Sequence, residues 1–309
     1  MKNFLIICLC LALGFALTGC GDKTALDSNG VPKTLVIACY NGGIPGLFKT
    51  KLEPTRLYLE KQLGIPVEFQ FTNDYTAVIE AINAKKVHMA YLSPFSYILA
   101  SQKHSITPIV AIGADGKPTM YHSIIITNKN TGLKNMDDVK RRAKSLSLCF
   151  ADPASTSGHL IPAAYLTTIG LDPEKNSFKE TMFAGSHPAT VLTVKSGKVD
   201  LGCTTSEYGV DVLVRMNMVK KDDLVVLWQS DPIVASPIVV RNDLNPAFAK
   251  KIQDAYLNMA QKDPKAFLSF IKVFVADPGK HSYMPVSDSL YNGLRKIAAG
   301  IKNLALIKQ

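Results

Sequence analysis

Cysteine is scarce in this chain, and its six residues are poorly spaced for chemistry. Two lie in the first nineteen residues and a third is Cys20, so only Cys39, Cys149 and Cys203 remain for the rest of the chain. No Cys-x-x-Cys pair and no cysteine–histidine spacing of a zinc ligand set occurs. The sequence therefore argues against a zinc site and a disulfide framework. We expect these three cysteines to act as small apolar side chains at strand ends. The sequence leaves open whether two of them form a disulfide.

The sequence also lacks the features of a nucleic-acid-binding protein. It holds 35 Lys and Arg against 25 Asp and Glu, for a formal net charge of +10. These basic residues are scattered, and they form no arginine-rich arm and no aromatic-basic motif. We therefore expect anionic partners other than nucleic acid.

The apolar run that opens the chain is too short for a comfortable membrane span. It extends from Phe4 to Leu17 after a single basic residue, which is typical of a signal peptide. Its end, Leu17-Thr18-Gly19-Cys20, resembles the lipobox of bacterial lipoproteins. We predict a lipoprotein signal peptide over residues 1–19, a lipid on Cys20 and a polar tether over residues 20–33, with folding from about Thr34. The protein would then be anchored to the cell membrane, facing the periplasm or the cell exterior.

Short β-branched runs alternate with helical periodicities along the rest of the chain. Nine runs predict strands, at residues 34–39, 66–71, 87–92, 106–112, 122–127, 146–151, 199–204, 224–228 and 237–241. This alternation predicts an α/β fold with open, mostly parallel sheets that bind ligands at the carboxyl ends of their strands. After residue 245 the pattern is helical.

A faint internal repeat predicts two similar α/β lobes. Residues 74–95 and 186–207 superimpose without a gap, each as a polar lead-in, an apolar helix and a strand that ends in hydroxyl residues. The register pairs Tyr75 with His187 and Ser93 with Thr205. If the lobes face each other, the helix starts at Tyr75, Ser155 and His187 point into one cleft.

Three consecutive hydroxyl residues, Ser155, Thr156 and Ser157, precede Gly158 and an apolar helical pattern. One hydroxyl would suffice to cap a helix, whose first N–H groups are unpaired and carry a partial positive charge. The additional hydroxyls therefore indicate either a site for a bound anion or a helix cap with more hydroxyl groups than it needs.

The segment Asp-Pro-Ala-Ser-Thr-Ser-Gly at 152–158, followed by Pro162, is similar to the signature of the phosphonate and phosphite substrate-binding proteins of ABC importers. Residues 73–82, 121–128 and 184–202 fall in the order of that family, and the resemblance covers about Thr34 to Arg241. It implies a type II periplasmic-binding-protein fold, with two α/β lobes, two hinge crossings and a ligand cleft. We expect residues 34–118 and 238–309 in lobe 1 and residues 119–237 in lobe 2.

The resemblance also implies a set of ligand-binding residues, namely Tyr75, Tyr121, Ser155, Thr156, Ser157 and His187. Hydroxyl groups, helix-start N–H groups and a protonated imidazole are all donors, and a phosphonyl group offers three acceptor oxygens. Two hydroxyl residues that end the repeated strands, Ser93 and Thr205, are further candidates. No cofactor or metal site is predicted.

The sequence leaves the identity of the ligand open. Glu207 lies where family members that bind aminoalkylphosphonates carry a carboxylate for the ammonium group, but Ser236 lies where such members have a second acid. We favour a small phosphonate or phosphite, because Ser236 replaces the second acid that an ammonium group would need. A carboxylate at Glu207 would repel the oxygens of a bare oxyanion unless it points away or is protonated. Arsenite is a third candidate ligand, because it binds thiols and because Cys39 and Cys203 lie at predicted strand ends.

The same residues suggest two alternative functions. An exported serine hydrolase would need a base and an acid beside Ser155 or Ser157, and the sequence has no Gly-x-Ser-x-Gly elbow. A binding protein that senses phosphate or arsenite and signals to a membrane sensor kinase would have the same fold. The primary prediction is a monomeric, non-enzymatic binding protein that serves the permease and ATPase subunits of an ABC importer.

Overall fold

The computed structural model describes residues 23–44, 46–103, 106–275 and 278–301, so the predicted signal peptide and Cys20 lie outside the described residues. The strands are β1 Leu35–Tyr40, β2 Val67–Thr72, β3 Met89–Tyr91, β4 Ile106–Ala114, β5 Lys117–Pro118, β6 Met120–Tyr121, β7 Ser123–Asn128, β8 Ser147–Phe150, β9 Glu180–Phe183, β10 Leu201–Thr205, β11 Leu224–Gln229, β12 Ile233–Val234, β13 Pro237–Arg241 and β14 His281–Pro285. The α-helices are α1 Leu47–Leu63, α2 Tyr75–Asn83, α3 Pro94–Lys103, α4 Met136–Arg142, α5 Ile161–Thr168, α6 His187–Lys195, α7 Asp211–Arg215, α8 Pro246–Lys262, α9 Pro264–Ile271 and α10 Asn292–Gly300.

Two main sheets and a small ribbon hold these strands. One sheet has seven strands, in the order β14-β4-β13-β3-β1-β2 with β5 paired to β4, and the other has five, in the order β11-β7-β10-β8-β9. The chain passes between the sheets twice, and the two passages pair as the ribbon β6–β12, with Ile233 opposite Tyr121. The two crossing segments therefore run side by side.

The prediction of mostly parallel sheets is wrong, because both sheets are mixed. Among the described residues, parallel pairing is confined to β1 with β2 and β3, and to β8 with β9 and β10. Strand β13 enters its sheet from the ribbon and runs antiparallel to β3 and β4. Strand β7 likewise enters from the ribbon and runs antiparallel to β10 and β11. A strand that starts at a crossing must run opposite to neighbours that end there.

Alternating side chains on the central strands explain why both faces of each sheet are covered. On β1, Leu35 and Ile37 pack into one apolar cluster, whereas Val36 and Ala38 pack into another on the opposite face. On β7, Ile125 contributes to one cluster, and Ile124 and Ile126 contribute to another. The nine predicted strands are confirmed, but the short strands β5, β6 and β12, the exposed β9 and the late β14 were missed.

Short polar side chains set where the helices beside the sheets begin. The Asp74 carboxylate accepts a hydrogen bond from Ala77 N at the start of α2. The Ser186 hydroxyl accepts one from Ala189 N at the start of α6. These caps follow strands β2 and β9 and fix the first turns of both helices at sheet edges.

The fold begins earlier than the boundary near Thr34 that the sequence predicted. The Asp27 carboxylate accepts hydrogen bonds from Asn29 N and Val31 N, which folds this segment into a turn. Gly30 O accepts from Asn245 N, and the ring of His88 contacts Thr24 O. Residues 23–33 therefore pack against the seven-stranded sheet. Among the residues described, no helix combines the length and apolar character needed to cross a bilayer.

Candidate functional site

Both helices that follow β8 and β10 in the five-stranded sheet start with a π turn, a feature often found at functional sites. The first π turn spans Thr156–Leu160 and leads into α5, and the second spans Ser206–Val210 and leads into α7. Ser155 caps the first one, because its hydroxyl accepts a hydrogen bond from Gly158 N at 3.0 Å. One of the three consecutive hydroxyls is thus the cap.

The second hydroxyl, that of Thr156, bridges the two sheets. Its oxygen accepts a hydrogen bond from Phe95 N, near the start of α3, at 2.8 Å. Beside it, Ser93 and Ser96 both donate to Ala154 O. Thr156 and Ser93 therefore have structural partners in addition to any ligand.

The third hydroxyl, that of Ser157, lies with Tyr121 at the hinge ribbon. The Tyr121 hydroxyl interacts with the side chains of Thr156, Ser157 and Ser236. Burial raises the pKa of Tyr121 above its ordinary value, and these contacts offset only part of that effect. The ribbon pairing of β6 with β12 thus brings residues from both crossing segments to the start of the π turn.

His187 lies at the start of α6 between two hydroxyl groups. Its Nε2 atom is 3.3 Å from Ser155 Oγ and its Nδ1 atom is 3.1 Å from Thr204 Oγ1. Burial lowers the pKa of His187 to about 4, so the ring is neutral at neutral pH. A neutral imidazole donates from one nitrogen and accepts at the other, which matches two hydroxyl neighbours.

Tyr75 faces this group from the seven-stranded sheet. Its backbone N–H donates to Asp152 Oδ2 at 3.2 Å, which links the start of α2 to the turn before Ser155. Burial raises the pKa of Asp152 to about 6, although hydrogen bonds from Ala154 and Tyr75 oppose this effect. The N-terminus of α2 is therefore already paired with a carboxyl group of this chain.

Tyr40 was missed in the sequence and packs against Tyr75, with ring centroids 4.5 Å apart. It is 6 % exposed, and its buried hydroxyl has no hydrogen-bond partner within the described residues. Burial raises the pKa of Tyr40, and its interaction with the Ser186 side chain offsets part of that effect. The position of Tyr40 at the carboxyl end of β1, beside β2 and β3, is the signal in the sequence that could have identified it as a site residue.

A cavity of about 120 Å³ connects several of these residues. Four residues predicted from the sequence line it, together with Tyr40: these four are Tyr75, Ser93, His187 and Ser236. Ser155 adjoins the cavity through His187. A larger open groove of about 980 Å³ lies between α3, β4 and α8, and none of the predicted site residues lines it.

Glu207 and Thr205 lie together but outside the lining of the cavity. The Thr205 hydroxyl donates to the Glu207 carboxylate, and Thr205 is fully buried. Glu207 raises the pKa of Tyr121 electrostatically, as a smaller effect than burial. Its charge therefore acts near Tyr121.

The three cysteines of the described chain are free and buried, so none forms a disulfide there. Cys39 lines the cavity, whereas Cys203 packs into the core of the five-stranded sheet. Burial raises the pKa of both thiols, which leaves them protonated. Within the described ranges, no group of three His, Cys, Asp or Glu side chains could hold a metal ion.

Two mixed sheets flanked by helices, two adjacent crossings and a cavity lined by residues from both sides define a type II periplasmic binding protein. A solved structure of the same fold, PhnD1 from Prochlorococcus marinus in complex with methylphosphonate, has a TM-score of 0.75 at 22% identity and covers 87% of this chain and 98% of that one. Residues 45–291 match the family model described as ABC transporter, phosphonate, periplasmic substrate-binding protein, and the chain belongs to this family.

Two curated relatives are similar over different lengths. The chain is 28% identical over 308 residues to the phosphate-import protein PhnD of Mycolicibacterium smegmatis, covering 93% of this chain and 92% of that protein. It is 32% identical over 201 residues to the phosphonates-binding periplasmic protein of Escherichia coli, covering 65% of this chain and 58% of that protein. Its family is extracytoplasmic and binds substrates for transport.

Proposed function

We propose that this protein captures a small phosphorus oxyanion, a phosphonate or phosphite, and delivers it to the permease and ATPase of an ABC importer. The observation that carries the proposal is the pairing of Ser155 with His187, at the starts of two helical segments beside a cavity. Relatives support it, because one is named for phosphonates, one for phosphate import, and one fold neighbour holds methylphosphonate.

The donor set fits a tetrahedral anion that must be released again. Hydroxyls of Ser155, Thr156, Ser157, Tyr75 and Tyr121, together with the His187 ring, supply neutral donors to three phosphonyl oxygens. Hydrogen bonds to a charged oxygen are each worth about 1.5–3 kcal/mol, so a few of them give specific but reversible binding. No lysine or arginine lines the described cavity. Because the lining has no fixed positive charge, the bound anion is released more readily.

The direct test is calorimetric titration of protein that lacks residues 1–20, all of which precede the described fold. The titrants are phosphite, methylphosphonate, 2-aminoethylphosphonate, phosphate, sulfate and arsenite. We expect saturable binding of at least one phosphorus oxyanion and weaker binding of sulfate. Binding of arsenite or sulfate alone would refute the proposal.

The proposal includes closure of two lobes on the ligand. Lobe 1 comprises residues 34–118 and 238–309, and lobe 2 comprises residues 119–237. The side-by-side crossings at β6 and β12 support a hinge there, since paired short segments can bend while both sheets stay rigid. We expect a smaller radius of gyration by small-angle scattering at saturating ligand, and an unchanged radius with a tight ligand would argue against closure.

The protein is proposed to act as a lipid-anchored monomer. The lipobox-like Leu17-Thr18-Gly19-Cys20 supports a lipid on Cys20. Metabolic labelling with an alkyne analogue of palmitate should mark the wild-type protein and not Cys20→Ala. Equal labelling of both proteins would mean that the lipid is attached elsewhere. The monomeric state is tested separately, by measuring the molar mass of the lipid-free protein with light scattering.

A further inference from the structure

The cavity has an apolar end that the head group of an oxyanion does not need. Phe48, Phe270 and Phe274 all line it and pack against one another, with ring centroids 4.9–5.8 Å apart. Ile112 and Ile238 also line the cavity. Water forms no hydrogen bonds with such a surface, whereas a hydrocarbon group that packs against it is removed from water and is thereby stabilised.

The polar end of the cavity holds the unpartnered hydroxyl. Tyr40, Tyr75, His187 and Ser236 supply polar groups there, and the buried Tyr40 hydroxyl lacks a partner in the described part of the chain. A buried hydroxyl without a hydrogen-bond partner is unfavourable, so a ligand oxygen that accepts from it is favoured. The cavity is thus amphipathic, with donors at one end and hydrocarbon at the other.

Acidic side chains are absent from the lining of this cavity within the described residues. An ammonium group on the ligand would therefore lie against aromatic rings and aliphatic side chains without a carboxylate partner. Burial of an unpaired charge is costly, so the lining discriminates against an aminoalkyl substituent.

Backbone geometry places Phe48 in this wall. Gly42 has a φ of +70°, and a Cβ atom at that position would lie 2.2 Å from the Phe48 ring. The ring consequently packs directly on the Gly42 backbone. This close packing fixes the position of Phe48 in the three-ring cluster.

We propose, as an extension of the proposed function, that the ligand is a phosphonate with a short apolar carbon substituent. The phosphonyl group accepts from Tyr40, Tyr75 and His187, and the alkyl chain lies against Phe48, Phe270 and Phe274. The cavity of about 120 Å³ limits the substituent to a few carbon atoms.

The test compares ligands by calorimetry on the lipid-free protein without residues 1–20. The series is phosphite, methylphosphonate, ethylphosphonate, propylphosphonate and 2-aminoethylphosphonate, whose last two members are nearly equal in size. We expect affinity to rise about threefold to fourfold per added methylene, as burial of one CH₂ implies. Propylphosphonate should bind at least about tenfold more tightly than 2-aminoethylphosphonate, because only the amine brings a charge.

A variant separates the apolar wall from the head-group site. Phe274→Asn should weaken propylphosphonate binding about tenfold more than it weakens phosphite binding, because only propylphosphonate has a hydrocarbon group to lie against this ring. If phosphite or 2-aminoethylphosphonate binds most tightly to the wild type, this inference fails while the proposed function stands. An equal loss for both ligands in Phe274→Asn also overturns it. If no phosphorus oxyanion binds, the proposed function itself fails.

Discussion

The Nε2 atom of His187 lies 3.3 Å from the Oγ atom of Ser155, although 32 positions separate the two residues. Ser155 caps the π turn after β8, and His187 starts the helix after β9, so two neighbouring strand ends supply the pair. Thr204, which lies on β10, contacts the other ring nitrogen, Nδ1, through its Oγ1 atom. Three strands of the five-stranded sheet thereby fix the orientation of one imidazole.

The burial of His187 predicts how stability depends on pH. Because its pKa is lowered to about 4 from 6.5, the unfolded state binds more protons on this residue between those values. The free energy of unfolding therefore falls as pH drops from 6.5 to 4. His187→Gln should lose less stability over that window than the wild type, as measured by urea denaturation at pH 7, 5.5 and 4.5.

Two features make this comparison specific. His159 has a pKa lowered to about 4 by burial as well, but it is present in both proteins, and its effect cancels. His122, which does not line the cavity, provides the control substitution His122→Gln. Identical pH profiles for the wild type and His187→Gln would contradict the burial of a neutral ring.

The three consecutive hydroxyls should differ in what their removal does. Ser155→Ala removes the cap on Gly158 N and costs about 0.5–2 kcal/mol of stability in addition to affinity. Ser157→Ala removes a contact with Tyr121 and no cap. We expect Ser157→Ala to weaken oxyanion binding about tenfold or more with a nearly unchanged melting temperature. Equal destabilisation by the two variants, without loss of affinity in Ser157→Ala, would make the cluster purely structural.

Sequence patterns predicted the strand cores, because β-branched runs such as those of β1 and β7 are buried on both faces. The patterns did not predict the direction of β13 and β7, since direction depends on where the chain crosses between sheets. Exposed β9 lacks a continuous buried run and was missed for that reason. The hydroxyl cluster was recognisable, but the contact of Thr156 with Phe95 N joins residues 61 positions apart.

Tyr40 illustrates the same limit within the site. A tyrosine at the end of an apolar strand is typical of simple packing. Its importance comes from a hydroxyl without a partner, and only the positions of Tyr75 and Ser186 show that. Glu207, conversely, was predicted as a ligand residue, and its role stays a prediction because it pairs with Thr205 outside the cavity lining.

Glu207→Gln should distinguish the two classes of phosphonate. For phosphite or an alkylphosphonate, we expect affinity to stay the same or rise, because the change removes a negative charge that acts near Tyr121. Calorimetric titrations of both proteins give the sign. If a buried ammonium relied on Glu207, the substitution would instead cost about 2–5 kcal/mol for 2-aminoethylphosphonate. That result would assign Glu207 to the ligand site.

Arg215 joins the two sides of the cavity through Val273. Its guanidinium group donates to Val273 O, just beyond α9 and beside Phe274. Because Arg215 is exposed, its removal should cost only about 0.5–1.5 kcal/mol, or roughly twofold to tenfold in affinity. Arg215→Met should show this loss as faster dissociation in stopped-flow measurements. Arg141→Met, which breaks an exposed ion pair with Asp138, is the control and should leave dissociation unchanged.

Gly158 leaves no room for a side chain beside the Ser155–His187 pair. A Cβ atom there would lie 2.4 Å from Ala151 Cβ and 3.0 Å from His187 Cε1, so the π turn or the ring must shift. Overpacking of this kind costs about 1–3 kcal/mol, and we expect Gly158→Ala to lower stability and weaken oxyanion binding together.

Gly293 is the matched control for this substitution. It lies in α10, and a Cβ atom at that position would have no neighbour within 4 Å. Gly293→Ala should therefore gain up to about 1 kcal/mol of stability, because alanine loses less backbone entropy in a helix. Urea denaturation and calorimetry on both variants make the comparison. Normal affinity in a folded Gly158→Ala protein would mean that the ligand does not depend on the position of the His187 ring.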